Sequence, residues 1–104
     1  MRKIFNLTTE KPILGLENFF EEFLATRIEE LSEIENALKV NDYKIIAEFA
    51  HKWKGFSAPY GFGILGQLGE EIERCLEEKD FENCRVLLKE AEVYLRVTKK
   101  KDIK

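Results

Sequence analysis

Along residues 20–38 the apolar side chains fall at intervals of three and four: Phe20, Phe23, Leu24, Ile28, Leu31, Ile34 and Leu38. That is one stripe of a long amphipathic helix, predicted over residues 17–38, with acidic residues on the opposite face. Strand-type alternation is nearly absent from the chain, and the pattern recurs three more times. A second helix is predicted over residues 43–58, burying Ile46, Ala50, Trp53 and Ser57, with Phe49, Ile45 and Phe56 widening the stripe. Pro59 and Gly61 end it. A third helix is predicted over residues 62–78, with Leu65, Leu68, Ile72, Cys75 and Leu76 on one side. A fourth, over residues 81–97, carries Cys84, Leu87, Leu88, Ala91, Tyr94 and Leu95.

The boundaries between these helices use cap chemistry. Asn41 and Asp42 stop the first and start the second, and Asp80 is the expected N-cap of the fourth. Two stretches echo each other, NDYKIIAEFA and KDFENCRVLL: an aspartate, then an aromatic, then a helix. Shared helix-start physics explains the echo better than an internal repeat. The connections are short, so neighbouring helices should run antiparallel. The predicted fold is an all-α, up-down-up-down antiparallel four-helix bundle over residues 12–98. A short N-terminal helical piece opens it at Pro12. Residues 1–11 form an arm before it, and residues 99–104 a basic, solvated tail.

Composition excludes several functions. A chain of 104 residues suits one domain, and a net charge of −3 argues against a nucleic-acid partner. No apolar run is long enough for a membrane span. The beginning turns polar too soon for a secretory signal, so a cytoplasmic location is expected. Cys75 and Cys84 lie nine residues apart without a CxxC motif and read as buried thiols. With a single histidine and the wrong ligand spacing, neither a metal site nor a cofactor is expected.

That single histidine, His51, is the residue the helix pattern does not bury. By helical-wheel arithmetic it lies about 150° from the centre of the second helix's apolar stripe. Its neighbours on that face are Lys44, Ala47, Lys54, Gly55 and Ala58, small or cationic groups that leave the ring open. Glycine inside a helix costs about 1 kcal/mol relative to alanine, so Gly55 is explained most simply by something approaching the backbone there. Lys54 disfavours a second positive charge on the ring, keeping it neutral and nucleophilic. The chain has no phosphate-binding glycine loop and no triad or metal spacing around the histidine. One exposed nucleophile with little other catalytic equipment describes a carrier of a covalent group rather than an enzyme. The docking face expected around it comprises Lys44, Ala47, Lys54, Gly55, Ala58 and parts of Phe62 and the third helix.

The run His51-Lys52-Trp53-Lys54-Gly55-Phe56-Ser57, followed by Tyr60-Gly61-Phe62 and by Leu65, Leu68 and Glu73, resembles the histidine-containing phosphotransfer (HPt) domain. The family signature is H-x-L-K-G-x-[SAG], then a Y/L-G-hydrophobic step and a helix reading L..L..ELE. The resemblance implies a four-helix bundle that relays phosphoryl groups in multistep His-Asp phosphorelays. His51 would take the group on its exposed ring nitrogen from the aspartyl phosphate of one receiver domain and pass it to an aspartate of another. Lys54 would contact the phosphoryl oxygens, and Gly55 would leave room for the receiver. The receiver would bring the Mg²⁺. Glu73 falls where the family often has a polar residue hydrogen-bonding near the histidine, and as a carboxylate it would orient the ring rather than touch phosphate. Trp53 stands in for the usual leucine and should pack without touching chemistry. Ser57 serves packing or bonds back to its own helix. Gly69 falls where related sequences keep a small residue for close packing against the second helix; Gly63 and Gly66 have no reading from sequence.

The partners expected are response-regulator receiver domains and a hybrid histidine kinase, with the chain acting as a monomer and with no nucleic acid or membrane involved. The alternative is a bundle of the same fold that only docks a receiver or kinase as a non-phosphorylated adaptor. A plain structural bundle with an incidental histidine is a further alternative.

Overall fold

The computed structural model describes residues 17–102. A single 3₁₀ turn, Glu17–Phe19, leads into α1 (Phe20–Lys39), followed by α2 (Tyr43–Phe56), α3 (Gly63–Glu77) and α4 (Phe81–Asp102). There is no strand among the described residues. The four helices pack in a closed ring: α1 on α2, α2 on α3, α3 on α4 and α4 back on α1, with the α2–α3 contact the most extensive. Connectors of three residues join α1 to α2 and α3 to α4. Such a connector reaches about 14 Å, whereas the fourteen residues of α2 span roughly 21 Å, which favours antiparallel over parallel neighbours. The helical piece at Pro12 and the arm before it lie outside the described residues.

The two echoing stretches form the same turn. Asn41 and Lys79 both adopt left-handed backbone angles, φ 56° and 59°. In each turn the following aspartate N–H reaches back to a helix carbonyl at 2.8 Å: Asp42 to Ala37, and Asp80 to Cys75. Each aspartate then caps the next helix, its Oδ1 accepting from Ile45 N at 3.4 Å and from Asn83 N at 3.2 Å respectively. The aromatics that follow, Tyr43 and Phe81, stack on each other at 4.1 Å between centroids. The sequence echo therefore marks two turns that meet each other. Arg85 adds to the joint by donating to Asn41 Oδ1 and to the Tyr43 hydroxyl.

The α2–α3 connection is longer because it must turn and plug the bundle. Gly61 supplies the positive φ, 96°, and Phe62 N closes the turn on Ser57 O at 2.9 Å. Phe62 then enters the core, stacking on Phe20 at 4.7 Å and on Phe23 at 5.0 Å, while Tyr60 lies on the Phe23 ring at 4.6 Å. Phe62 is fully buried, so the expectation that it contributes to an exposed docking face is corrected. A large apolar residue after the turn is worth more as core than as surface.

Three other expectations change. Glu30 is buried, although the sequence put the acids of α1 on a solvated face. Its Oε1 accepts from the indole N–H of Trp53 at 3.0 Å, and Arg27 pairs with it at 2.7 Å. A buried indole N–H needs an acceptor, and the arginine balances the carboxylate that provides it. Trp53 is thus tied to α1 by more than packing. Ser57 is buried as expected, but its Oγ has no hydrogen-bond partner, so the back-bond to its own helix is not made. Finally, α4 continues to Asp102 and includes most of the basic tail expected at 99–104. Lysines sustain a helix well and suit its C-terminal end.

At Gly69 α3 packs directly on the backbone of α2. A Cβ there would stand 2.5 Å from Ala50 O and 3.0 Å from both Lys54 N and Trp53 Cβ. No side chain fits, because the obstacle is the backbone of α2. Gly66, one turn earlier, is different: its added Cβ would meet Trp53 O at 3.5 Å and Ser57 Cβ at 3.7 Å, ordinary contact. Gly69→Ala should therefore lower stability by roughly 3 kcal/mol through forced separation of α2 and α3. Gly66→Ala should leave it unchanged or slightly raised. Urea unfolding of the two variants checks the contrast, and equal effects would contradict the contact described.

The two thiols make a second test. Burial pushes Cys84 up from the ordinary 9.0 to about 11, with the nearby Cys75 adding to the rise. Cys75 is raised too, again by burial, against a hydrogen bond from Asn83 that lowers it. A thiol whose value is raised by folding favours the folded state below its unfolded value. That contribution fades as pH climbs through the folded value. Stability should fall between pH 9.0 and about 11, and Cys84→Ala should flatten the fall when urea midpoints are measured across that window.

Candidate functional site

The Gly69 contact sets the geometry of the site. It presses α3 against residues 50–54 of α2, the segment that carries His51 and Lys54. Glu73 follows Gly69 by one helical turn, so it lies on the same face of α3 and meets the same stretch of α2. The His51 side chain is 77% exposed, as its position on the helix wheel predicts. Its Nδ1 lies 3.3 Å from Glu73 Oε2. An ionised carboxylate can only accept, so this contact favours the tautomer with the proton on Nδ1 and Nε2 bare, open to whatever docks.

The other oxygen of Glu73 faces Lys54. Lys54 Nζ stands 3.8 Å from Oε1, an ion pair longer than a hydrogen bond. That oxygen is buried and accepts no hydrogen bond. The lysine is 51% exposed and the glutamate 24%, so the carboxylate is the more shielded member of the pair. From sequence, Lys54 is expected to act directly on the ring's charge. The structure places an anion between the two, so Lys54 does not act on His51 unopposed.

The remaining expected residues surround this trio. Gly55 is exposed, and nothing lies within 4 Å of where its Cβ would be. The protein's own packing therefore gives no reason for a glycine there. Lys44 is exposed, and Ala47 and Ala58 are half-buried on the same face. Phe56 is 57% exposed, a large apolar group beside Gly55 at the end of α2. Phe62, as noted, is absent from this face. What sequence reasoning missed is the ion pair between Glu73 and Lys54. Its signal was the spacing of Glu73 from Gly69 combined with the close packing expected at that glycine.

This arrangement presents one reactive ring nitrogen on a rigid helix, oriented by a carboxylate, with an ammonium in reach. A family model described as the Hpt domain matches residues 18–98, nearly all of the bundle. The chain belongs to the Hpt domain family. No curated protein and no solved structure gave a significant match. Hpt domains are phosphotransfer modules of phosphorelays, phosphoryl carriers rather than catalysts, which interact with receiver domains and kinases. Among the described residues no group of His, Cys, Asp or Glu side chains is arranged to hold a metal ion. No helix among them is long and apolar enough to cross a membrane.

In this Hpt domain the open space at Gly55 has a consequence for stability. Gly55→Ala should raise it by about 1 kcal/mol, because the methyl meets no neighbour and the helix gains a better former. Thermal or urea unfolding checks this, and a loss of stability would mean the glycine serves the fold instead.

Proposed function

We propose that this Hpt domain accepts a phosphoryl group on His51 Nε2 from the aspartyl phosphate of one receiver domain and donates it to the aspartate of another. The observation that carries this reading is the state of the ring: largely exposed, yet held at Nδ1 by Glu73. In acceptance, the Nε2 lone pair forms the N–P bond while the P–O bond of the aspartyl phosphate breaks, its electrons going to the regenerated carboxylate. The Nδ1 proton stays in place against Glu73. The ring then bears a positive charge beside the phosphoryl dianion. In donation the steps reverse, and the ring departs as neutral imidazole with no proton to collect.

Lys54, on the same helix face three residues on, supports the phosphoryl oxygens as they arrive. Gly55, flanked by Ala58, gives the incoming receiver room against the backbone, and Ala47 and Lys44 extend the face. Few side chains here need to move, which suits a brief encounter between partners. The receiver's metal and acidic pocket belong to the partner. A monomer working in the cytoplasm fits this role.

The test is incubation with a receiver domain charged by acetyl phosphate, followed by analysis of the label on the chain. The expected product is acid-labile and alkali-stable, and His51→Gln should carry none. Lys54→Ala and Gly55→Ala should each slow transfer roughly tenfold, the worth of one charged contact or one steric obstruction of about 1.4 kcal/mol. Stable association with a receiver but no label on the wild type would instead support an adaptor that docks without being phosphorylated.

A further inference from the structure

Glu73 has a second relation at the site besides the one with the ring. Its Oε1 is buried, accepts no hydrogen bond, and faces the ammonium of Lys54 at 3.8 Å. The neighbouring cation on α3, Arg74, is committed elsewhere, to Glu70 at 3.8 Å and to Glu71 at 2.9 Å. Lys54 is therefore the resting counter-ion of Glu73. It is also the group that, on the reading above, must reach the phosphoryl oxygens of His51.

We propose that Lys54 changes partner when His51 is phosphorylated, leaving Glu73 for the phosphoryl group, so that Glu73 competes for the lysine and reduces what Lys54 adds to the stability of the phosphohistidine. This rests on the carrier reading, in which Lys54 supports the phosphoryl oxygens, and it adds a residue that sets how readily the group is passed on. The geometry suits an exchange. The pair is too long for a hydrogen bond and its lysine is half-exposed, so the ammonium can be released. The lysine carries its charge on a flexible four-carbon stem. The phosphoryl group offers three strong acceptor oxygens and close to two negative charges, more than one carboxylate oxygen can match. What Lys54 contributes to the phosphorylated state is thus its contact with phosphate less the contact it abandons.

A double-mutant cycle reads the competition directly, without a receiver. Phosphoramidate transfers its phosphoryl group to imidazole: the P–N bond breaks, ammonia leaves with the electron pair, and Nε2–P forms. His51 is the only histidine, so all phosphohistidine formed is at this residue, and phosphorus NMR separates the Nε2 from the Nδ1 isomer. The equilibrium fraction of phosphohistidine at fixed phosphoramidate and ammonia is measured by phosphorus NMR for wild type, Lys54→Ala, Glu73→Gln and the double variant. The cycle cancels whatever Glu73→Gln does to the ring by itself. Lys54→Ala should lower the equilibrium constant by a factor about threefold larger in the Glu73→Gln background than in wild type. The excess should vanish near 1 M salt, where exposed charges are screened within about 3 Å. Lys54→Gln serves as a second truncation should the alanine variant fold poorly. An equal or smaller effect in the Glu73→Gln background overturns the proposal. A chain that is labelled by phosphoramidate but never by a charged receiver would instead count against the carrier reading, leaving the two failures distinguishable.

Discussion

The contact between Gly69 and the α2 backbone is the constraint on which the site depends. Helices that meet through side chains keep their axes 8–10 Å apart. Here a glycine lets α3 close until its Cα-side surface touches the carbonyl of Ala50 and the amide of Lys54. Two effects follow from one missing methyl. The segment carrying His51 is fixed against a neighbouring helix, so the histidine stands on a rigid support despite its exposure. Glu73 is also carried within reach of both the imidazole and the ammonium. A wider spacing would keep the bundle and lose the carboxylate from the ring.

The far side of α2 is anchored by a different device. Trp53 projects into the core opposite His51, and its indole N–H is received by Glu30, itself paired with Arg27. Arg27 lies over the Phe23 ring at 4.4 Å, and Phe23 stacks on Phe62 and Tyr60. The chain of contacts runs from α1 through the tryptophan to the helix that bears the histidine, and on into the turn before α3. A buried pair of charges contributes little net stability. Its value here is directional: an indole with one acceptor has one orientation, which fixes the rotation of α2 about its axis and so the direction in which His51 points.

Much of this was legible in the sequence, for reasons that differ by residue. The helix stripes were readable because burial imposes a period of 3.6 on a continuous run. The outward position of His51 followed from the same period without knowledge of the other helices. Gly69 as a close-packing residue came from the family resemblance, and the structure supplies its physical cause. Glu30 was not legible, because its burial depends on a tryptophan twenty-three residues away and not on its own helix. The misplacement of Phe62 has a related origin: a residue just after a turn has too few helical neighbours for periodicity to assign it a face. The echo of NDY and KDF was visible as pattern, but nothing in one dimension says that Tyr43 and Phe81 stack on each other. The length of α4 escaped for an opposite reason, since a lysine-rich end can remain helical with no apolar stripe to announce it.

A phosphoryl carrier faces two demands that ordinarily conflict. Its nucleophile must be exposed enough for two different proteins to reach it, while exposed side chains usually sample several rotamers and, for histidine, both tautomers. The structure separates the two requirements between the ring's nitrogens. Nδ1 is held from the α3 side by a mostly buried carboxylate, and the opposite edge is left to solvent. Glutamate serves this purpose because it is an acceptor alone and cannot reverse the direction of the hydrogen bond, as an amide could by turning over. If His51 carries the phosphoryl group as proposed, the cost is an anion close to that dianion, and Lys54, 3.8 Å from Glu73, is the cation at hand to answer it. On that reading the more shielded carboxylate orients the ring and the more exposed Lys54 balances the charge, so the two tasks fall to separate groups.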